Sequence, residues 1–171
     1  MTDMKLKASQ ADKATFMAAY GHIYEHSPWV AEGTWLANDP SDLDTLDKLA
    51  TAMAKVVDAA DEAAKMKLIC AHPDLAGKAA LRDELTAESR SEQAGAGLDQ
   101  CSAEELEEFT NLNSAYKAKF GFPFIVAVKG LDRHDILAAF RARLNHDRPQ
   151  EFETALTQIH KIARLRLADL T

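Results

Sequence analysis

Only one stretch of this sequence has the makings of a β-strand, and that restricts the fold more than any other feature. "FGFPFIVAVKG", residues 120–130, gathers aromatic and β-branched residues into a short run of high strand propensity. No second convincing strand exists to pair with it, and a buried strand without a partner would leave its backbone N–H and C=O groups unsatisfied. The run is therefore expected to be a buried extended or irregular segment, or a short helix. Around it the chain is expected to fold as an all-α, single-domain helical bundle.

Helix signals fill the remainder. Ser9 with Asp12 resembles a capping box, followed by Phe16, Tyr20 and Ile23 at helical spacing. "SPW" at 27–29 ends or redirects that helix, because proline disfavours helical geometry in the residue before it. From about Asp42 to Ala71, Leu43, Leu46, Leu49, Met53 and Val56 keep a helical pattern that stops at His72-Pro73. Ser89 with Glu92, Ser102 with Glu105 and Asp132 with Asp135 read as further capping boxes, and Pro149 as the first residue of a final helix. No repeat, low-complexity tract or Gly/Ser linker divides the order, so one domain over 1–171 is expected.

A chain of 171 residues, 47% hydrophobic and 27% charged, is long enough for a substantial core and ordinary for a soluble globular protein. Its formal net charge of −7 argues against nonspecific nucleic-acid or anionic-membrane binding. Apolar runs such as "FIVAV" fall far short of the roughly 20 residues that span a bilayer. The N-terminus lacks the apolar core of a signal peptide, and the final "ADLT" is not a peroxisomal address of the S-K-L type. Cys70 and Cys101 make no disulfide framework and no CxxC pair, which fits a reduced, cytoplasmic protein. Cys70 is expected to be a small buried helix residue.

Four constellations could carry chemistry. "HIYEH" places His22, Glu25 and His26 in the inverted zinc-peptidase pattern, two histidines one helical turn apart with a glutamate as base. The plain alternative is a solvated helix end. In "ESRSEQAGAGL", Ser89, Glu92 and Gln93 share one helical face and could line a polar pocket, or they could merely cap the helix and meet solvent. Phe152, Leu156, Ile159, Ala163, Arg166 and Leu170 form an amphipathic seam that points Arg166 inward, with Arg164 on the polar side. An inward guanidinium keeps its charge, so it needs a structural acid, a solvated cavity or an anionic ligand. His72 stands at a helix end, where the dipole favours an imidazolium, and a nearby carboxylate such as Glu92 would favour it further.

In order along the chain, "YEHSPWVAE" (24–32), "HPDLAGK" (72–78), "SRSEQAGAGL" (89–98), "FGFPFIVAVKG" (120–130) and "KIARLRLADL" (161–170) resemble the signature blocks of the OHCU decarboxylase family. OHCU is 2-oxo-4-hydroxy-4-carboxy-5-ureidoimidazoline, an intermediate of urate degradation. The resemblance implies an all-α lyase that converts OHCU to (S)-allantoin and carbon dioxide, commonly as a homodimer and with no metal or organic cofactor. It implies catalytic roles for His72, Glu92 and Arg166. It places Pro73, Ser89, Gln93 and the stretch Phe124, Ile125, Val126 and Ala127 against the substrate. The small molecule OHCU is the implied partner, with no nucleic acid and no membrane. Two other readings of the chain stand beside it: a zinc-dependent hydrolase using His22, Glu25 and His26, and a non-catalytic helical interaction module.

Overall fold

Short polar side chains set where the helices begin. In the computed structural model, which describes residues 1–77 and 84–171, Asp12 opens α1 (Lys13–Tyr20) by accepting the Thr15 N–H at 2.8 Å. Pro28 precedes α2 (Trp29–Ala37). After α3 (Leu46–Asp58), Asp61 accepts the Ala64 N–H at 2.8 Å and opens α4 (Glu62–Cys70). Thr86 caps α5 (Ala87–Gly95), accepting the Ser89 N–H at 3.2 Å. Full capping boxes start α6 (Ala103–Phe120), from Ser102 and Glu105, and α7 (Arg133–Arg143), from Asp132 and Asp135. The last helix, α8, spans Arg148–Ala168. Three short 3-10 turns, Ala8–Gln10, Pro40–Leu43 and Leu98–Gln100, complete the helical elements described. The fold is all-α; among the described residues there is no strand, only an isolated bridge between Asp3 and Thr45.

Several boundaries differ from those expected. Ser9 is no cap: it lies in a 3-10 turn, and its N–H and hydroxyl bind the Asp44 carboxylate at 2.9 and 2.6 Å. The first helix stops at Tyr20, with Gly21 as its C-cap, so Ile23 is outside it. The pattern from 42 to 71 is two helices, because Asp61 offers a capping carboxylate in mid-run. Ser89 is not the cap of α5 either, since Thr86 supplies the hydroxyl three residues earlier and leaves Ser89 inside the helix. Pro149 is the second residue of α8, still in the first turn, where a missing N–H has no intrahelical acceptor to lose.

The chain packs as two units, residues 1–71 with 159–171, and residues 72–158. In the first, Gly33 lets α2 run tight against α3: a Cβ there would lie 2.8 Å from Val56 Cγ1. Phe16 packs on Tyr20 and Trp35 at centroid separations of 5.0 and 5.1 Å. Tyr24, His160 and Asp58 form a polar chain, with Tyr24 Oη 2.9 Å from His160 Nδ1 and His160 Nε2 3.0 Å from Asp58 Oδ1. Because a carboxylate only accepts, the neutral imidazole that satisfies all three groups carries its proton on Nε2 and takes the phenol proton's bond at Nδ1. Burial, followed by the Asp58 charge, pushes the Tyr24 phenol well above its ordinary pKa.

In the second unit an aromatic cluster encloses the stretch that resembled a strand. Tyr116 lies 4.4 Å from Phe120, 5.4 Å from Phe124 and 5.9 Å from Phe140, and Phe124 stacks on Phe140 at 3.9 Å. Each such ring contributes about 2 kcal/mol by leaving water. Gly121, with φ of 80°, ends α6 in the left-handed conformation that glycine adopts without strain. Phe122, Phe124, Ile125, Ala127 and Val128 are then buried without regular secondary structure, as the extended or irregular reading expected and the short helix did not.

The α6 cap carries a pH signature. The Ser102 N–H foremost, and then Arg133 Nε, outweigh desolvation and hold the Glu105 carboxyl below its ordinary value of 4.5. A depressed folded-state pKa contributes stability above that value and loses it as pH falls through the folded pKa. Urea denaturation should therefore show the wild type losing more stability than Glu105→Gln between about pH 5 and about pH 3.

Candidate active site

The candidate residues of the second unit lie on two pieces of backbone that side chains tie together. His72 and Pro73, both partly exposed, begin a turn whose Leu75 and Ala76 are buried. Ala76 has φ of 50°, in the left-handed region, where a non-glycine residue persists only if its surroundings enforce it. Three side chains fasten the turn. Gln93 on α5 accepts the Ala76 N–H at 3.0 Å and donates from Nε2 to the Asp74 carbonyl at 3.3 Å. Asn113 on α6 donates to the Leu75 carbonyl at 3.0 Å, and Lys117 pairs with the Asp74 carboxylate at 2.6 Å.

Gln93 is thus a buried brace and not a solvated amide, and Ser89 is buried with it at 5% exposure each. Glu92, next to Gln93 on α5, stays partly exposed. His72 and Glu92 are therefore carried on two backbone segments that Gln93 joins. Lys78, the end of the "HPDLAGK" block, lies outside the described residues.

Arg166 points inward, as the seam of α8 implies, and is 6% exposed. In the first unit its Nη2 donates to Glu25 Oε2 at 2.9 Å and its Nη1 to the Ile23 carbonyl at 3.2 Å. Glu25 is itself 1% exposed, so the guanidinium has the anionic partner that burial demands. Arg164 is exposed and pairs with Asp47.

The zinc pattern is corrected by the same geometry. Because α1 ends at Tyr20 and the residues up to Pro28 turn, with His26 at φ of 47°, His22 and His26 do not share a helical face. The glutamate that would serve as base is the arginine's partner. Among the described residues no group of three or more His, Cys, Asp or Glu is placed to hold a metal ion.

Within the stretch expected to meet substrate, Phe124, Ile125 and Ala127 are buried and Val126 is partly exposed. Its Ile125 carbonyl accepts from Arg143 Nη1 at 2.5 Å, and its Ala127 N–H donates to Gln158 Oε1 at 2.9 Å. Cys70 is exposed, contrary to expectation, because it is the last residue of α4, where the helix face gives way to a turn. It borders a cavity of about 570 Å³ in the first unit, beside His26, Pro28, Trp29 and Lys67.

Sequence reasoning passed over Glu25 as an ion-pair partner, and Asn113 and Lys117 altogether. Asn113 carried a usable signal: it falls in the buried register Phe109, Asn113, Tyr116, Phe120 of α6, a polar residue in an apolar stripe. Lys117 is half-exposed and carried none.

The chain matches the OHCU decarboxylase family over residues 9–168. A relative from Halalkalicoccus jeotgali named 2-oxo-4-hydroxy-4-carboxy-5-ureidoimidazoline decarboxylase is 45% identical over 163 residues, covering 95% of this chain and 89% of the relative. The crystal structure of an (S)-allantoin synthase superposes with a TM-score of 0.76 at 36% identity, over 95% of this chain and 52% of that one. A crystal structure of an OHCU decarboxylase in the presence of (S)-allantoin shares the fold, with a TM-score of 0.67 at 24% identity over 83% of this chain and 89% of that one. The chain belongs to the OHCU decarboxylase family.

Replacing Gln93 by Leu keeps the approximate volume but leaves the Ala76 N–H and the Asp74 carbonyl without their brace. Chemical denaturation should show a loss of about 2 kcal/mol, the cost of stranding buried polar groups.

Proposed function

We propose that this chain decarboxylates OHCU to (S)-allantoin and carbon dioxide without a cofactor. The observation that carries this reading is the match to one family through residues 9–168, with 45% identity to a relative named for that activity. Decarboxylation leaves an electron pair that many enzymes place on a cofactor such as PLP. OHCU supplies its own sink, because the carboxylated carbon adjoins a ring imine. As the bond to the carboxylate breaks, its pair forms a double bond to the neighbouring ring carbon, and the imine electrons move to nitrogen, which takes a proton. The hydroxyl then loses its proton to become the ring carbonyl, and the neighbouring carbon gains one on a single face, setting the (S) configuration.

The residue roles are those that the family resemblance implies, fitted to this chemistry. His72 and Glu92 form the proton-handling pair, with Glu92 orienting the imidazole. Arg166, whose Nη2 and Nη1 are held by Glu25 and the Ile23 carbonyl, directs its fixed positive charge at an anionic or carbonyl oxygen of the substrate. Pro73, Ser89, Gln93 and the stretch from Phe124 to Ala127 shape the pocket, exclude water and fix which face is protonated. The protein works in the cytoplasm as a homodimer, each chain acting as one domain.

OHCU made in situ from urate should decay faster with the protein present and give optically active allantoin, followed by absorbance and circular dichroism. His72→Ala and Glu92→Ala should each lower kcat by about a hundredfold or more while the far-ultraviolet helical signal persists. Near-wild-type turnover by either variant refutes the assignment. Light scattering should give twice the chain mass; a monomer in the active preparation refutes the dimer.

A further inference from the structure

Arg143 and Glu151 form an ion pair inside the second unit, with Arg143 8% exposed and Glu151 fully buried. Such a pair is weak evidence for stability, since apolar residues of similar volume often serve a core as well. Its geometry is also not that of a pair optimised for mutual attraction. Arg143 gives only Nε to Glu151 Oε1, at 2.8 Å, and turns Nη1 to the Ile125 carbonyl at 2.5 Å. Its Nη2 has no hydrogen-bond partner among the described residues, although a side-on fork would have used it on the carboxylate. The guanidinium also lies 4.4 Å from the Phe124 ring centroid.

Both of these further contacts fall on consecutive residues of the stretch from Phe124 to Ala127. Glu151 is fixed in turn by the Tyr116 hydroxyl at 2.6 Å, and His146 Nδ1 stands 3.2 Å from its other oxygen. In extended backbone the carbonyl of one residue and the N–H two residues on face the same edge. Arg143 and Gln158 thus take the place of a neighbouring strand along that edge.

The geometry points to Arg143, held by Glu151, as a positioning residue for decarboxylation. It sets where the Phe124–Ala127 backbone stands, and so the wall that meets the substrate. The assignment rests on the proposed activity. Lysine's compact ammonium has three donors but no planar fork, so it cannot reach the carboxylate and the carbonyl while lying flat over the ring as the guanidinium does.

The test compares wild type with Arg143→Lys, Glu151→Gln and the charge-free double variant Arg143→Gln/Glu151→Gln. Thermal midpoint, kcat, KM and the optical purity of the allantoin are measured for each. The double variant removes both buried charges and should recover stability relative to Glu151→Gln. In all three, kcat should fall by about a hundredfold, as for a displaced site wall, with KM changed by less than about threefold and optical purity reduced. If wild type is active and the variants keep its turnover, or if activity merely follows the thermal midpoint across the series, Arg143 is structural and the inference falls alone. A folded wild type without activity on OHCU overturns the proposed function and this assignment with it.

Discussion

A buried backbone that runs extended with no sheet beside it must find hydrogen bonds from somewhere, and the second unit is arranged around that need. Helices satisfy their own amides; the stretch from Phe122 to Val128 does not. Side chains on α7 and α8 supply what a neighbouring strand would have given, and six-membered rings from α6 and α7 close over the rest. A helix in the same place would have engaged its amides internally, whereas here the Ile125 carbonyl and the Ala127 N–H answer to Arg143 and Gln158.

The same reasoning applies to Arg143 and Arg166, the buried arginines among the described residues. Each faces inward from a helix stripe that is otherwise apolar, and each has a nearly inaccessible glutamate as partner. A guanidinium cannot escape burial by losing its proton, so the acid is obligatory. In the chemistry proposed here, charge is handled by groups of fixed ionisation, Arg166 among them, while the mobile protons belong to His72 and Glu92. That division suits a substrate that carries its own electron sink and asks the protein only for placement and protons.

Much of this was legible in the sequence. The fold class followed from the absence of a partner for residues 120–130, and the inward aim of Arg166 from 4, 3 spacing along α8, because a charged residue in an apolar stripe stands out. The capping boxes of α6 and α7 were legible for the same local reason. The misread caps share a cause: Ser9 and Ser89 each had a competing oxygen or a competing cap nearby, Asp44 and Thr86. Local patterns could not rank these competitors. Nor could they show that Glu25 answers Arg166 across 141 positions of sequence, or that Gln93 reaches back to residues 74 and 76. Such partnerships are set by tertiary packing, which periodicity does not encode.

The fastening of the turn that begins at His72-Pro73 has a kinetic consequence. Gln93, Asn113 and Lys117 all grip the three residues that follow Pro73. A histidine mounted on free loop would have to surrender backbone entropy each time it engaged a substrate, at about 1–2 kcal/mol for each residue ordered. In this chain Gln93, Asn113 and Lys117 hold residues 74–76, so His72 in its proposed role would draw less binding free energy into ordering the backbone beside it.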